Sequence, residues 1–101
     1  MTLSHIPKRT NIPRDTGLTM MMDKGLSTRQ MEDFLSTSAS YTDIIKFGFG
    51  TSIVSNNIQE KVALMCEVGV KPYFGGTMFE LYYARNQEED YFKIVDNFGI
   101  E

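Results

Sequence analysis

Cysteine and histidine each occur once in this chain of 101 residues, and the two scarcities remove much of the usual chemistry of small enzymes. With Cys66 alone there is no intrachain disulfide and no multi-cysteine metal site. Cys66 lies in the apolar stretch Val62-Ala63-Leu64-Met65-Cys66, which reads as a buried, inert thiol. His5 falls in a polar leader before Pro7, so a Ser/His/Asp or Cys/His unit and a histidine zinc site are disfavoured. Basic charge is short too. The net charge is -3, whereas general nucleic-acid binding needs a basic face to displace counterions. Lys8, Arg9 and Arg14 cluster only as a short, solvated terminal arm. No apolar run approaches the ~20 residues needed to cross a membrane. The opening MTLSHIPKRTNIPRD lacks the hydrophobic centre of a secretory signal. A cytoplasmic protein without nucleic-acid or membrane partners is the expectation.

What the chain does contain is a repeated pattern. Three short apolar runs each end in a glycine-punctuated polar cluster and then give way to helical spacing. The clusters are Asp23-Lys24-Gly25, Lys46-Phe47-Gly48-Phe49-Gly50-Thr51 and Tyr73-Phe74-Gly75-Gly76-Thr77. Apolar residues make up 42% of the chain, enough for one modest core.

Residues 1–15, with Pro7 and Pro13, read as an irregular leader, and residues 16–101 as β/α units. Strands are expected over Gly17–Met22, Thr42–Phe47 and Val70–Phe74. Ser27 and Gln30 stand in capping-box relation before a helix from Thr28 to about Ser38. Ser55 and Asn56 are candidate caps for a second helix, with Ile58, Val62 and Met65 on one face and Gly69 closing it. Thr77 and Glu80 repeat the capping-box signature for a third helix. Tyr91, Ile94, Val95 and Phe98 mark a fourth, ended by Gly99. Ile100 and Glu101 would open a fourth strand. Alternating strands and helices imply parallel strands with right-handed crossovers. The fold class is therefore α/β: about three units of a (β/α)8 TIM barrel, which cannot close in 101 residues when about 250 are typical.

In such folds chemistry gathers where the carboxyl ends of the strands share a rim. Lys24, at the first strand end, could neutralise a phosphate or carboxylate, or simply face solvent beside a turn. Lys46 sits among Ile44, Ile45 and Phe47, where a charge is costly unless it points into a polar cavity or at an ion partner. Alternation puts Ile45 and Phe47 on one face and Lys46 on the other. Gly48, Gly50, Gly75, Gly76 and Thr77 expose backbone N–H groups that an anion can approach, with a helix start at Thr77 adding its dipole. Asp23 could bind magnesium or shape its own turn. Glu80 could be a metal ligand or base, though capping supplies it with a structural task. The aromatics Tyr73, Phe74, Phe79, Tyr82 and Tyr83 read as core.

Taken together, these blocks resemble phosphosulfolactate synthase. The likeness rests on Pro13-Arg14 with Gly17-Leu18-Thr19-Met20, on Asp23-Lys24-Gly25-Leu26, on YTDIIKFGFGT from Tyr41 to Thr51, and on VKPYFGGTMFE from Val70 to Glu80. It implies a (β/α)8 barrel that adds sulfite to phosphoenolpyruvate with magnesium, in coenzyme M synthesis or sulfolactate formation. Relatives in plants are described as stress-associated proteins. By that likeness Lys24 and Lys46 take catalytic roles, Arg14 joins them in offsetting the repulsion of two anionic substrates, and the principal acid/base lysine falls beyond Glu101. The chain is then expected to be the N-terminal portion of such an enzyme and inactive alone. The alternatives are a family member that binds a phosphorylated metabolite without sulfonation, as a binding module or a different lyase, and a half-barrel that assembles with itself or a second chain.

Overall fold

The computed structural model describes residues 3–100, and Glu101, the second residue of the expected fourth strand, lies outside them. Three strands form one parallel sheet in the order β1-β2-β3: β1 (Met20–Asp23), β2 (Ile44–Phe47) and β3 (Lys71–Phe74). Their register aligns Met22, Lys46 and Tyr73 across the sheet, and likewise Asp23, Phe47 and Phe74. Helices alternate with them: α1 (Thr28–Ser38), α2 (Thr51–Val54), α3 (Ile58–Glu67), α4 (Gly76–Tyr83) and α5 (Glu88–Asn97). The architecture is a partial β/α barrel with an open sheet.

The strands begin later than periodicity suggests, because the N–H groups just before them are taken from outside the sheet, by the Asp43 side chain at Thr19 and by the Ala39 and Met65 carbonyls at Thr42 and Val70. The Thr19 N–H donates to the Asp43 carboxylate at 2.7 Å, so β1 begins only at Met20. Thr42 follows a 3-10 turn (Ala39–Tyr41), and its hydroxyl donates to the Ser38 carbonyl. Helix α1 has its full capping box: the Gln30 N–H donates to the Ser27 hydroxyl at 3.1 Å, and the Ser27 N–H to the Gln30 side chain at 2.9 Å.

Helix α3 ends as glycine permits. Gly69 adopts φ 79°, its N–H donates to the Cys66 carbonyl, and the Val70 N–H returns to the Met65 carbonyl. Its start differs from expectation. A 3-10 turn (Gly48–Gly50) and the one-turn α2 intervene, and Asn57 rather than Ser55 or Asn56 precedes the helix. The Asn57 amide donates to the Leu26 carbonyl at 3.1 Å instead of capping α3.

The core lies between the sheet and its helices. Ile45, Phe47 and Phe74 from the strands meet Met31 and Leu35 of α1 and Ile58, Val62 and Met65 of α3. Phe74 stacks on Phe47 at 5.8 Å between centroids and meets Phe98 edge-on at 5.7 Å. Two expectations fail here. Cys66 is exposed, lying in the last turn of α3 at the flank of the buried stripe of Ile58, Lys61, Val62 and Met65. Tyr73 and Tyr83 are exposed rather than core, Tyr73 because strand alternation sends it away from Phe74. Ile100, the one described residue of the expected fourth strand, is buried, with its N–H returning to the Val95 carbonyl at the end of α5.

Candidate functional site

The sheet's two faces carry opposite chemistry. The face toward the helices holds Ile45, Phe47 and Phe74 in full burial. The other holds Met20, Met22, Ile44, Lys46 and Tyr73, all exposed or half-buried. Lys46 therefore projects from the middle strand on the uncovered face, beside the carboxyl ends where three loops converge. Gly75 adjoins it: a Cβ built there would lie 2.9 Å from Lys46 Cε and 3.2 Å from the Phe47 carbonyl oxygen. A side chain at position 75 would displace the lysine, which is the physical reason for glycine at this point. The Gly75 N–H donates to that same Phe47 carbonyl at 3.2 Å, fastening the third loop to the second strand.

Gly48 and Gly50, also predicted for the rim, have close neighbours there. The Met22 thioether lies over Gly48, and Gly50 abuts Leu81 and the Thr77 methyl group. The Thr51 hydroxyl donates to the Gly48 carbonyl, holding the turn at the end of β2. Lys24 places its ammonium 5.4 Å from the centroid of the Phe49 ring. Gly76 is open, with no atom within 4 Å of where a Cβ would stand. Among the described residues neither Lys24 nor Lys46 has a carboxylate within 4 Å, so both cations remain available to an anion.

Helix α4 starts at Gly76 with Gly75 as its N-cap, two residues earlier than a Thr77 cap requires. Thr77 is thus inside the first turn and makes no capping bond, and the expected Thr77/Glu80 box does not form. The tight Gly75–Phe47 bond turns the chain into the helix at once. Glu80 then stands exposed in the second turn.

Asp23 is fully buried and aimed at the helices. One carboxylate oxygen accepts from the Gly25 and Leu26 N–H groups at 2.7 Å, and the other from the Lys61 ammonium at 2.7 Å. Lys61 is itself fully buried, donates to the Leu26 carbonyl at 2.8 Å and lies 5.3 Å from the Phe47 ring centroid. Asp23 accordingly shapes the β1–α1 loop that carries Lys24, the turn-forming one of its two expected readings. Sequence reading missed Lys61. Its signal was a lysine three residues after Ile58 and one before Val62, on the apolar face of α3.

Arg14 lies at the opposite, amino end of the sheet. Its guanidinium pairs with the Asp43 carboxylate at 2.8 Å and donates to the Thr10 and Ser40 carbonyls at 2.8 and 2.6 Å. Arg9 joins it, donating to the Thr19 hydroxyl and to the Tyr41 carbonyl at 3.1 Å. Arg14 is thus separated from Lys46 by the length of β2, with its guanidinium engaged by Asp43 and two carbonyls. Of the basic leader residues, Lys8 and Arg9 are exposed as expected of a solvated arm, whereas Arg14 is buried by its pairing with Asp43. The Thr19 N–H, with the Arg14 guanidinium, holds the Asp43 carboxyl below its ordinary value of 3.8 against the opposing pull of burial.

Among the described residues no group of three His, Cys, Asp or Glu side chains is placed to hold a metal, and no helix is long and apolar enough to cross a membrane. Residues 7–101 match the family described as (2R)-phospho-3-sulfolactate synthase (ComA). The chain is 33% identical over 96 residues to the phosphosulfolactate synthase of Bacillus subtilis, covering 95% of this chain and 38% of that protein. To the phosphosulfolactate synthase of Methanothermobacter thermautotrophicus it is 37% identical over 97 residues, 94% of this chain and 38% of the relative. The protein of that name from Methanocaldococcus jannaschii is 37% identical over 87 residues, 84% of this chain and 35% of the relative. The chain thus spans little more than a third of the length of these relatives, and it belongs to the phosphosulfolactate synthase family.

Proposed function

We propose that these residues are the first β/α units of a lyase that adds sulfite to phosphoenolpyruvate in the cytoplasm, forming 2-phospho-3-sulfolactate. The observation that carries the reading is Lys46, free of any carboxylate among the described residues, lying against Gly75 at the carboxyl ends of the strands. The sulfite sulfur lone pair forms the new bond to C3 of phosphoenolpyruvate. The C2–C3 π pair moves toward C2 and the adjoining carboxylate, and a proton then returns to C2. Both reactants are anions, so Lys46 and Lys24 offset their mutual repulsion and stabilise the charge that accumulates on the carboxylate. The N–H groups at Gly76 and Thr77, in the first turn of α4, offer the phosphate a partial positive charge.

Magnesium, which the family resemblance implies, does not fit the described residues. Asp23 has both oxygens engaged, Glu80 is exposed in α4's second turn, and among the described residues no group of three acidic, His or Cys side chains is placed to hold a metal. Its ligands would come from elsewhere in a complete barrel, and no step above depends on it.

The test is to graft residues 7–101 in place of the matching segment of the Bacillus subtilis relative and to assay isotope-labelled sulfite incorporation. The graft should form phosphosulfolactate, Lys46→Met in it should lower turnover about a hundredfold or more, and the 101-residue chain alone should be inactive. A folded graft that binds phosphoenolpyruvate without incorporating label favours a non-sulfonating phosphometabolite binder.

A further inference from the structure

Phe49 occupies the middle of the 3-10 turn at the end of β2, between Gly48 and Gly50, with 68% of its surface exposed. Its backbone sits at φ 55° and ψ 31°, in the left-handed region that bulky side chains avoid and glycine enters freely. Backbone preference therefore argues for a third glycine, and burial gives no compensating reason for an aromatic ring. Such an outlier points to a use for the side chain itself. The ring has a partner: the Lys24 ammonium, 5.4 Å from its centroid and within cation–π range. The contact joins the loop after β1 to the loop after β2, both at the rim.

We propose that Phe49 is a positioning residue, its ring face holding the Lys24 ammonium over the carboxyl end of the sheet, ready for a phosphorylated carboxylate. A carboxylate in its place would also hold the ammonium, but would cancel the charge the site needs. An aromatic face attracts the cation through its quadrupole and leaves the full charge to the ligand. Asp23 and Lys61 complete the arrangement from below by fixing the loop from which Lys24 springs. The proposal deepens the anion-site reading of the rim and rests on it.

The test compares Phe49→Gly, Phe49→Leu and Phe49→Tyr with the unsubstituted 101-residue chain, using phosphoenolpyruvate as probe. In NMR spectra the Lys24 ε-protons should be shifted upfield by the ring in the unsubstituted and Tyr chains, and return to ordinary positions with Leu or Gly. Phosphoenolpyruvate affinity should fall about threefold with Leu and Gly and be retained with Tyr. Thermal stability of the Gly variant should be kept or raised, because its backbone strain is relieved. Affinity lost while stability is kept marks positioning, whereas a purely structural Phe49 would lose both together and overturn the proposal. Lys24 protons without a ring shift in the unsubstituted chain, or an unchanged affinity in Phe49→Gly, would overturn it as well. Failure of the unsubstituted chain to bind phosphoenolpyruvate would sink the anion-site reading, and the ring-shift comparison would still decide whether Phe49 holds Lys24.

Discussion

Lys61 and Asp23 form a fully buried ion pair, and such pairs cost more when halved than they contribute when whole. Lys61→Met leaves the Asp23 charge without its cation and should destabilise the chain by about 3–5 kcal/mol, read from urea denaturation. Adding Asp23→Asn removes the stranded charge and should recover part of that loss. A single variant no less stable than the parent would show that the pair is dispensable. At the other end of the sheet, Asp43 carries a pH signature. Its folded-state pKa is depressed, so its contribution is complete above the unfolded value of 3.8 and drains away as pH falls through the folded one. Asp43→Asn should lower the denaturation midpoint at neutral pH and flatten the loss of stability below about pH 4. An acid limb identical to the parent's would contradict the assignment. Of these two pairs, Asp23 and Arg14 looked from sequence like ligand contacts. What redirects them is a partner 38 residues away in one case and 29 in the other.

Helix α4 shows what one residue does to an element. Gly75 and Gly76 are adjacent and read alike in sequence, yet only Gly75 touches other atoms. Gly75→Ala drives a methyl into Lys46 Cε and the Phe47 carbonyl, and should weaken phosphoenolpyruvate binding. Gly76→Ala meets open space at the first helical position and should stabilise the helix by roughly 0.5–1 kcal/mol while weakening binding less than Gly75→Ala does. Calorimetry of both variants checks the pair, and equal effects on binding would remove the argument for Lys46 at the rim. The start of α1 was fully legible because its capping box is local, spanning Ser27 to Gln30. The Thr77/Glu80 signature misled because a contact from the neighbouring strand, Phe47 to Gly75, set the start of α4 instead.

At the scale of the molecule, three strands leave a sheet uncovered. Parallel sheets are normally buried on both faces, but here Met20, Met22 and Tyr73 stay exposed on one of them. The radius of gyration, 15.3 Å, exceeds the roughly 13 Å of a compact domain this size. Strands β1 and β3 each keep an unpaired edge among the described residues. The isolated chain should therefore associate as concentration rises, seen as a growing sedimentation coefficient. Grafting residues 7–101 onto the rest of a barrel should abolish this. Concentration-independent monomers of the isolated chain would mean that the open sheet is tolerated as it stands.

The sequence by itself determined the alternation of strands and helices, the parallel order, the two-faced β2 and the placing of glycines at strand ends. Each of these follows from periodicity or from backbone preferences acting over a few residues. Only the tertiary structure decided which charges are free and which are spent. Among the described residues Lys24 and Lys46 stay available, while Asp23, Arg14, Asp43 and Lys61 are consumed in buried pairs. A charge is neutralised by whatever the fold brings within a few ångströms, and no local pattern encodes a partner three elements away.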